Sequence, residues 1–339
     1  MGREFAMGTA PGRDVVVMAA SAGGIEALGA VMAELPADLP ASVLVVLHVP
    51  ATGGRALPGI LGRAGKLPAA AAVDGEGLRH GRVYLAPPDH HLLVRDGAVH
   101  VSHGPKQHGH RPAADPLFRS AAAARGPRVV GVVLSGTLDD GAAGAAVVEE
   151  AGGIVAVQDP DDCAYDGMPR AALAATRNAV ALPVTELGAF IAEQSRTPVG
   201  IGAPGPRVDP ETYLETEPVA KEPPGVWSGI TCPECGGPLN VRSEVRPSRY
   251  ECRLGHGWSA DSLLGGQADA VERALWVAAL RLEERVRLTR RMSASAKERG
   301  HVRSAEIFDA SSRESGEALE TIRSLIEYLS QAGERPDSR

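Results

Sequence analysis

A chain of 339 residues with 44% hydrophobic and 23% charged residues has material for one large domain and smaller attachments. Its net charge of -7 argues against non-specific binding to nucleic acid or to an anionic membrane surface. No apolar run approaches the roughly 18 residues of a membrane-spanning helix, and Met1 to Gly12 lacks a signal-peptide core. The reading is a cytoplasmic protein with no membrane insertion and no nucleic-acid partner.

In chain order, residues 1–13 read as a disordered leader. From 14 to 195, strand and helix signals alternate. Val15–Ala19 is a short apolar run fit for a strand buried on both faces, broken by Gly23-Gly24. An amphipathic segment from Ile25 to Leu35 follows, with Leu28 and Met32 on one side. Val43–Leu47, Val129–Leu134 and Ile154–Val157 repeat the buried-strand pattern, with helical stretches at Pro116–Ala124 and Ala142–Glu150. This alternation predicts an α/β fold, a mostly parallel sheet with helices on both faces in a Rossmann-like three-layer arrangement. Val83–Leu85, Leu92–Val94 and Ala98–Val101 are short and separated by turn signals, and read as small antiparallel strands at the sheet edge. Residues 196–226 are proline-rich without apolar periodicity, a semi-extended linker. Residues 227–260 carry three of the four cysteines. Residues 261–331 read as two antiparallel helices broken near Glu298-Arg299-Gly300, with 332–339 as a tail. Val271, Leu275, Ala278, Leu282 and Val286 form the apolar stripe of the first helix. Ile307, Ala318, Ile322, Leu325, Ile326 and Leu329 form that of the second.

Three polar residues stand where buried strands run out. Ser21 lies between a strand and a helix, where free N–H groups of the first helical turn favour a developing oxyanion. His48 ends the second strand just before Pro50, and Asp140 follows the third strand beside Gly141. Each has an ordinary structural reading, Ser21 and Asp140 as helix caps and His48 as a strand-end histidine, and Asp139 competes with Asp140. Together they supply the hydroxyl, imidazole and carboxylate of a serine hydrolase, at the carboxyl edge where open α/β sheets place their sites. The order Ser…His…Asp and the absence of a Gly-x-Ser-x-Gly elbow separate the chain from α/β-hydrolases.

These segments carry a resemblance. Ala20-Ser21-Ala22-Gly23-Gly24, Leu47-His48-Val49-Pro50, Val83–His90, His110-Arg111-Pro112, Asp115–Phe118, Leu134–Gly141 and Gly167–Ala171 occur in the order and spacing of the CheB catalytic domain. From Val15 to about Ala192 the chain resembles that family of chemotaxis protein-glutamate methylesterases. The resemblance implies hydrolysis of methyl esters on receptor glutamates, often with deamidation of receptor glutamines. It implies a methylated receptor or similar signalling protein as substrate and no catalytic cofactor. It assigns Ser21 as nucleophile, His48 as general base and then acid, and Asp140 as the orienting carboxylate. Ala22, Gly23, Gly24, Thr137 and Arg111 then belong to the oxyanion and substrate loops. The family loop commonly reads Met-Gly-x-Asp-Gly, whereas here Thr137 and Leu138 replace the first two residues. The other readings are a glutamine deamidase on the same triad and a degenerate CheB-like domain acting as a scaffold. Val15 opens the first strand, so the expectation is that no receiver domain precedes the sheet and that phosphorylation exerts no control in cis.

Cys232-Pro233-Glu234-Cys235, followed by Cys252 and His256, has the ligand types and spacing of a closed tetrahedral zinc site. A structural Zn²⁺ in a small ribbon is expected, with a redox Cys-x-x-Cys as the alternative. His100, His103, His108 and His110 crowd a segment with no carboxylate or thiol at ligand spacing, and read as a solvated loop on the substrate side, with a metal site as the alternative. The terminal helices read either as a hairpin packed on the ribbon or as an element for a helix-mediated partner or self-association.

Overall fold

The computed structural model describes residues 12–199, 223, 225–243 and 247–333. The expected leader over 1–11, most of the expected linker at 200–222, and the expected tail at 334–339 lie outside these residues. The first half of the chain runs β1 (Val15–Ala20), α1 (Gly24–Glu34), β2 (Ser42–Leu47), α2 (Leu57–Ala64), β3 (Ala69–Ala71), β4 (Arg82–Leu85), β5 (His91–Arg95), β6 (Ala98–Ser102) and α3 (Ala114–Arg125). It continues through β7 (Val129–Val133), α4 (Ala142–Glu150), β8 (Ile154–Gln158), α5 (Gly167–Ala175), β9 (Val180–Leu182) and α6 (Val184–Arg196).

Seven strands form one parallel sheet in the order β3-β4-β2-β1-β7-β8-β9. All six residues of β1 are buried, and alternation along the strand divides them between two cores. Val15, Val17 and Ala19 join Leu117, Phe118 and Val148 of α3 and α4. Val16, Met18 and Ala20 join Leu28, Met32, Leu61 and Ile191 of α1, α2 and α6. The three-layer fold expected from the alternating pattern is the one observed. The chain starts in the middle of the sheet and winds to one side through β2 and to the other through β7. The crevice between β1 and β7 is therefore the switch point, where such sheets bind ligands.

One expectation at the sheet edge is corrected. Val83–Leu85 is not an antiparallel edge strand but lies inside the parallel sheet between β3 and β2, with Val43↔Val83 and Val45↔Leu85 in register. Its outer partner is three alanines, which carry no strand signal. The other two segments pair as a separate antiparallel hairpin, β5–β6, whose Leu92, Val94 and Val99 pack into the core beneath α3.

The ribbon consists of β10 (Val226–Thr231), β11 (Pro238–Arg242), β12 (Arg249–Cys252) and β13 (Gly257–Trp258) in one antiparallel sheet. Its core holds Cys232, Leu239, Cys252, Trp258 and Leu263. The ribbon belongs to the same compact unit as the parallel sheet, a unit that ends at Leu263. Residues 106–108 stitch the two together. Gln107 pairs with Gly257, and its side chain donates to the Gly255 carbonyl at 2.9 Å and accepts from Arg249 at 2.5 Å. The His108 amide donates to the Gly257 carbonyl at 2.7 Å, and Lys106 pairs with Glu234 at 2.6 Å.

The second unit, from Leu264, is a hairpin made of most of α7 (Ala260–Glu298) and α8 (Val302–Gly333). The break near Gly300 falls where expected, but the buried seam differs from the expected stripes. Ala279, Val286, Thr289, Ser293 and Ala296 are buried on one helix, and Ala305, Ser312, Ser315, Leu319 and Ile326 on the other. Val271, Ile307 and Leu325 are exposed. Val286 and Ile326 of the expected stripes lie in the seam, but small residues fill much of the rest and Ser293 donates to Asp309 across it at 2.6 Å, so a pattern of large apolar residues finds only part of it.

Candidate active site

Parallel register brings the three sequence-predicted residues to one place. Ala20 is paired with Leu47 in β1–β2, so Ser21 and His48 are the next residues on adjacent strands, about 4.8 Å apart in the pairing direction. On the other side of β1, the Ser21 amide donates to the Ser135 carbonyl at 2.9 Å. The cap reading of Ser21 does not hold. Gly23 is the N-cap of α1, in a left-handed conformation (φ 71°) with no side-chain cap bond, which leaves the hydroxyl for other work. Gly136 permits the close approach of the β7–α4 loop, because a Cβ there would stand 2.9 Å from the Ser21 Cβ and 2.2 Å from the Met168 sulfur.

His48 Nε2 lies 2.7 Å from Asp140 Oδ2, both side chains nearly excluded from solvent. A carboxylate only accepts, so Nε2 carries the proton and Nδ1 is left as the basic nitrogen. Asp140 does cap a helix, but not the one that follows it. Its Oδ2 accepts from the Ala114 amide at 2.6 Å and its Oδ1 from the Asp115 amide at 3.0 Å, at the start of α3, while α4 is capped by Gly141. Burial raises the Asp140 pKa. The His48 hydrogen bond, the charges of His108 and His48 and the Ala114 amide outweigh it and hold the carboxyl well below the usual range. Asp139 points elsewhere and is shifted the opposite way. Burial pushes its carboxyl up, opposed by His108 and by a hydrogen bond from Ser259.

The expected solvated histidine loop is corrected by two residues. His110 stacks on His48 with ring centroids 4.0 Å apart and 13° between planes. Burial, then the His48 charge, pulls it down to about 4, so it stays neutral against the His48 imidazole. His108 is buried, and the carboxylates missing from its own segment come from elsewhere in the fold. Nε2 is 3.0 Å from Asp115 Oδ2 and 3.8 Å from Asp140 Oδ1; Nδ1 is 3.0 Å from Ser262 Oγ and 3.8 Å from Asp139 Oδ1. Burial lowers its pKa, but the bond to Asp115 and the charges of Asp140, Asp115 and Asp139 raise it on balance. His108, Asp115 and Asp140 lie within metal-ligand range of one another. The Arg119 guanidinium on Asp115 at 2.8 Å and the amides on Asp140 take up the same oxygens, making this a salt network.

Arg111 donates to Asp89 through Nε (3.0 Å) and Nη2 (2.8 Å), and through Nη1 to the carbonyls of His103 and Gly104. Thr137 and Leu138 are exposed beside Asp139, and Leu138 adopts φ 60°, the left-handed region that the glycine at this family position enters without strain. Ser135 had no role assigned from sequence. Its hydroxyl donates to the Ala22 carbonyl at 2.8 Å and accepts from the Tyr165 amide at 3.0 Å, which pins the turn after Ser21. A polar residue directly after a wholly buried strand is the signal that marks it.

In the ribbon, Cys232 Sγ lies 3.8 Å from His256 Nδ1, Cys252 Sγ 3.5 Å from the same nitrogen, and Cys235 Sγ 3.7 Å from Cys252 Sγ. All four ligand atoms fall within 4.8 Å of one another. The Cys232 thiol is pushed down to about 3 by its hydrogen bond with Cys252, assisted by His256 and the amides of Cys235 and Glu234.

The family model for CheB methylesterase matches residues 16–191. The chain belongs to the CheB methylesterase family. A protein-glutamate methylesterase/protein-glutamine glutaminase of Anaeromyxobacter dehalogenans is 48% identical over 163 residues, covering 48% of this chain and 48% of the relative. One from Myxococcus xanthus is 43% identical over 178 residues, covering 52% and 50%. The crystal structure of the Thermotoga maritima CheB methylesterase catalytic domain matches with a TM-score of 0.50 and 31% identity, over 53% of this chain and 97% of that one. The chain spans about half the length of the curated relatives it matches. The CheB-family region ends before the ribbon, so the ribbon and the helical hairpin lie outside it. Among the described residues no helix is long and apolar enough to cross a membrane.

Proposed function

We propose that the chain is a serine hydrolase that removes methyl esters from glutamate side chains of a receptor-like signalling protein, with Ser21, His48 and Asp140 as its triad. The observation that carries this reading is the 2.7 Å His48–Asp140 bond at the carboxyl edge of the sheet, with Ser21 next to His48 in register. His48 Nδ1 takes the Ser21 proton as Oγ attacks the ester carbonyl. The charge that His48 gains is offset by Asp140, held ionised by two α3 amides. The oxyanion meets the start of α1. There the Gly24 amide turns inward onto the Ser21 carbonyl at 2.9 Å, whereas the amides of Ala22 and Gly23 bond to no other described residue and serve as donors. Collapse of the tetrahedral adduct expels methoxide, which takes the proton from His48 and leaves as methanol. His48 then deprotonates a water that attacks the acyl-enzyme, and the Ser21 hydroxyl is restored along with a free glutamate. Thr137, on its exposed turn, borders the substrate path, and Arg111 holds the opposite wall through Asp89.

Incubation with a methylated receptor or a glutamyl methyl ester peptide tests this reading. Methanol release is expected from the wild type and at least a thousandfold less from Ser21→Ala. Equal release from both removes the esterase assignment. The relatives' names also include protein-glutamine glutaminase, and ammonia released from a glutamine peptide by the same serine reads out that activity.

Cys232, Cys235, Cys252 and His256 would hold a structural Zn²⁺. A tetrahedral ion with bonds of about 2.3 Å to sulfur and 2.0 Å to nitrogen sets its ligand atoms about 3.5–3.8 Å apart, the spacing found here. Four protein ligands leave no open position, so such an ion supplies folding energy rather than catalysis. The expected content is one zinc per chain, lost in Cys235→Ser.

A further inference from the structure

The ribbon and the first turn of α7 lie outside the CheB-family region, yet a buried chain of polar contacts runs from them to the triad. Ser262, in that first turn, is buried. Its Oγ accepts from His108 Nδ1 at 3.0 Å, across 154 positions of sequence. His108 Nε2 donates to Asp115 Oδ2 at 3.0 Å. The Asp115 amide donates to Asp140 Oδ1 at 3.0 Å, and Asp140 Oδ2 receives His48 Nε2 at 2.7 Å. Side contacts brace every link. Ser259 and Ser262 cap each other reciprocally, Ser262 N to Ser259 Oγ and Ser259 N to Ser262 Oγ, both at 3.0 Å. Asp115 Oδ1 accepts the Gly144 amide at 2.6 Å and so ties α3 to α4. His108 is anchored through its own backbone by Gly257 of β13.

We propose that His108, held by Ser262, is a positioning residue for the triad carboxylate, and that the ribbon with the first turn of α7 is therefore a working part of the hydrolytic site rather than an attachment to it. The inference rests on the Ser21–His48–Asp140 reading. The physical case is the placement of charge. Asp115 and Asp140 are two buried carboxylates that meet through the start of one helix, and like charges at such range displace one another unless a cation lies between. The His108 ring stands in that place, with Nε2 3.0 Å from Asp115 Oδ2 and 3.8 Å from Asp140 Oδ1, the carboxylate oxygen that His48 does not take. Arg119 pairs with Asp115 at 2.8 Å, and a single His108 ring nitrogen faces both carboxylates. That nitrogen is aimed by what the other one does, and the other one is fixed by Ser262. Loss of the Ser262 acceptor frees the ring to turn toward the unpartnered Asp139 Oδ1, 3.8 Å from Nδ1. Asp140 is then held less firmly, and with it the tilt of the catalytic imidazole.

The test compares ester hydrolysis by the full chain in the wild type, Ser262→Ala, Ser262→Thr, His108→Gln and Lys106→Ala, each with its thermal midpoint. Ser262→Ala is expected to lower kcat about tenfold with KM unchanged. Ser262→Thr, which keeps the hydroxyl, restores most of it, and His108→Gln loses at least as much as Ser262→Ala. Lys106→Ala removes a ribbon contact outside the network and leaves kcat unaltered. A Ser262→Ala protein that folds and keeps wild-type kcat overturns the inference, as does an equal loss in Lys106→Ala, which would trace the effect to docking of the ribbon. A wild type without Ser21-dependent hydrolysis would instead overturn the triad reading, and this inference with it.

Discussion

The parallel sheet and the ribbon share one compact unit but are held together by different physics. The sheet separates two apolar cores, each built from side chains of β1 and of helices on one face, with Phe118, Tyr84 and Met18 fully buried. The apolar core of the ribbon holds five buried residues, two of them cysteines. A core of that size does not offset the entropy of ordering four strands. The ribbon depends on two supports outside its own packing, the Cys3His cluster and the contacts from residues 106–108. Apolar burial makes the first region self-sufficient, whereas the second is conditional on what binds to it and what it is bound to.

Removing the proposed zinc separates the two regions most sharply. Chelation, or Cys252→Ser, withdraws an interaction worth on the order of 10 kcal/mol in small zinc modules. Loss of near-ultraviolet dichroism from Trp258 is expected while the unfolding transition of the sheet persists. A single transition that collapses as a whole would show that the sheet relies on the ribbon equally. Phe118→Ala attacks the other side. Phe118 is fully buried under Gly131 and Gly144, so a loss of about 3–5 kcal/mol is expected in denaturant unfolding, with the zinc content unchanged.

Acid provides a third, smaller probe of the sheet unit. His91 is buried beneath α3, and burial pulls it down to about 4. Its Nε2 bonds the Pro105 carbonyl and its Nδ1 accepts the Ala113 amide, so the ring must be neutral. Its folded pKa lies below the unfolded value of 6.5, so the unfolded chain binds the proton first. The stability contributed is complete above pH 6.5 and is lost as pH falls toward 4, by about 3 kcal/mol. His91→Gln, which keeps a donor and an acceptor, is expected to flatten this part of the stability–pH curve. The smallest effect belongs to Lys106→Ala. The half-exposed Lys106–Glu234 pair contributes under about 1 kcal/mol, so a larger loss measured by calorimetry would mean that the ribbon is held to the sheet mainly by charge.

Much of the sheet was legible because strands buried on both faces read as unbroken apolar runs. β3 and β9 were not, being three residues each, with alanine in one and exposed residues in the other. In the hairpin, the serine, threonine and alanine positions of the seam hid behind larger residues, several of which, Val271, Ile307 and Leu325 among them, face solvent.

Ser21, His48 and Asp140 could be read from the chain because strand order and the ends of buried runs are local properties, and parallel pairing places successive strand ends side by side. The Cys232, Cys235, Cys252 and His256 cluster was equally local, since its spacing is what the sequence displays. The roles of His108, Asp115, Asp139, Ser135 and Ser262 were decided only by the tertiary structure. Each is an ordinary polar residue whose partner stands up to 154 positions away, and a buried charge takes its meaning from the groups that enclose it. Sequence therefore specified which groups do the proposed chemistry, and packing decided which groups hold them in place.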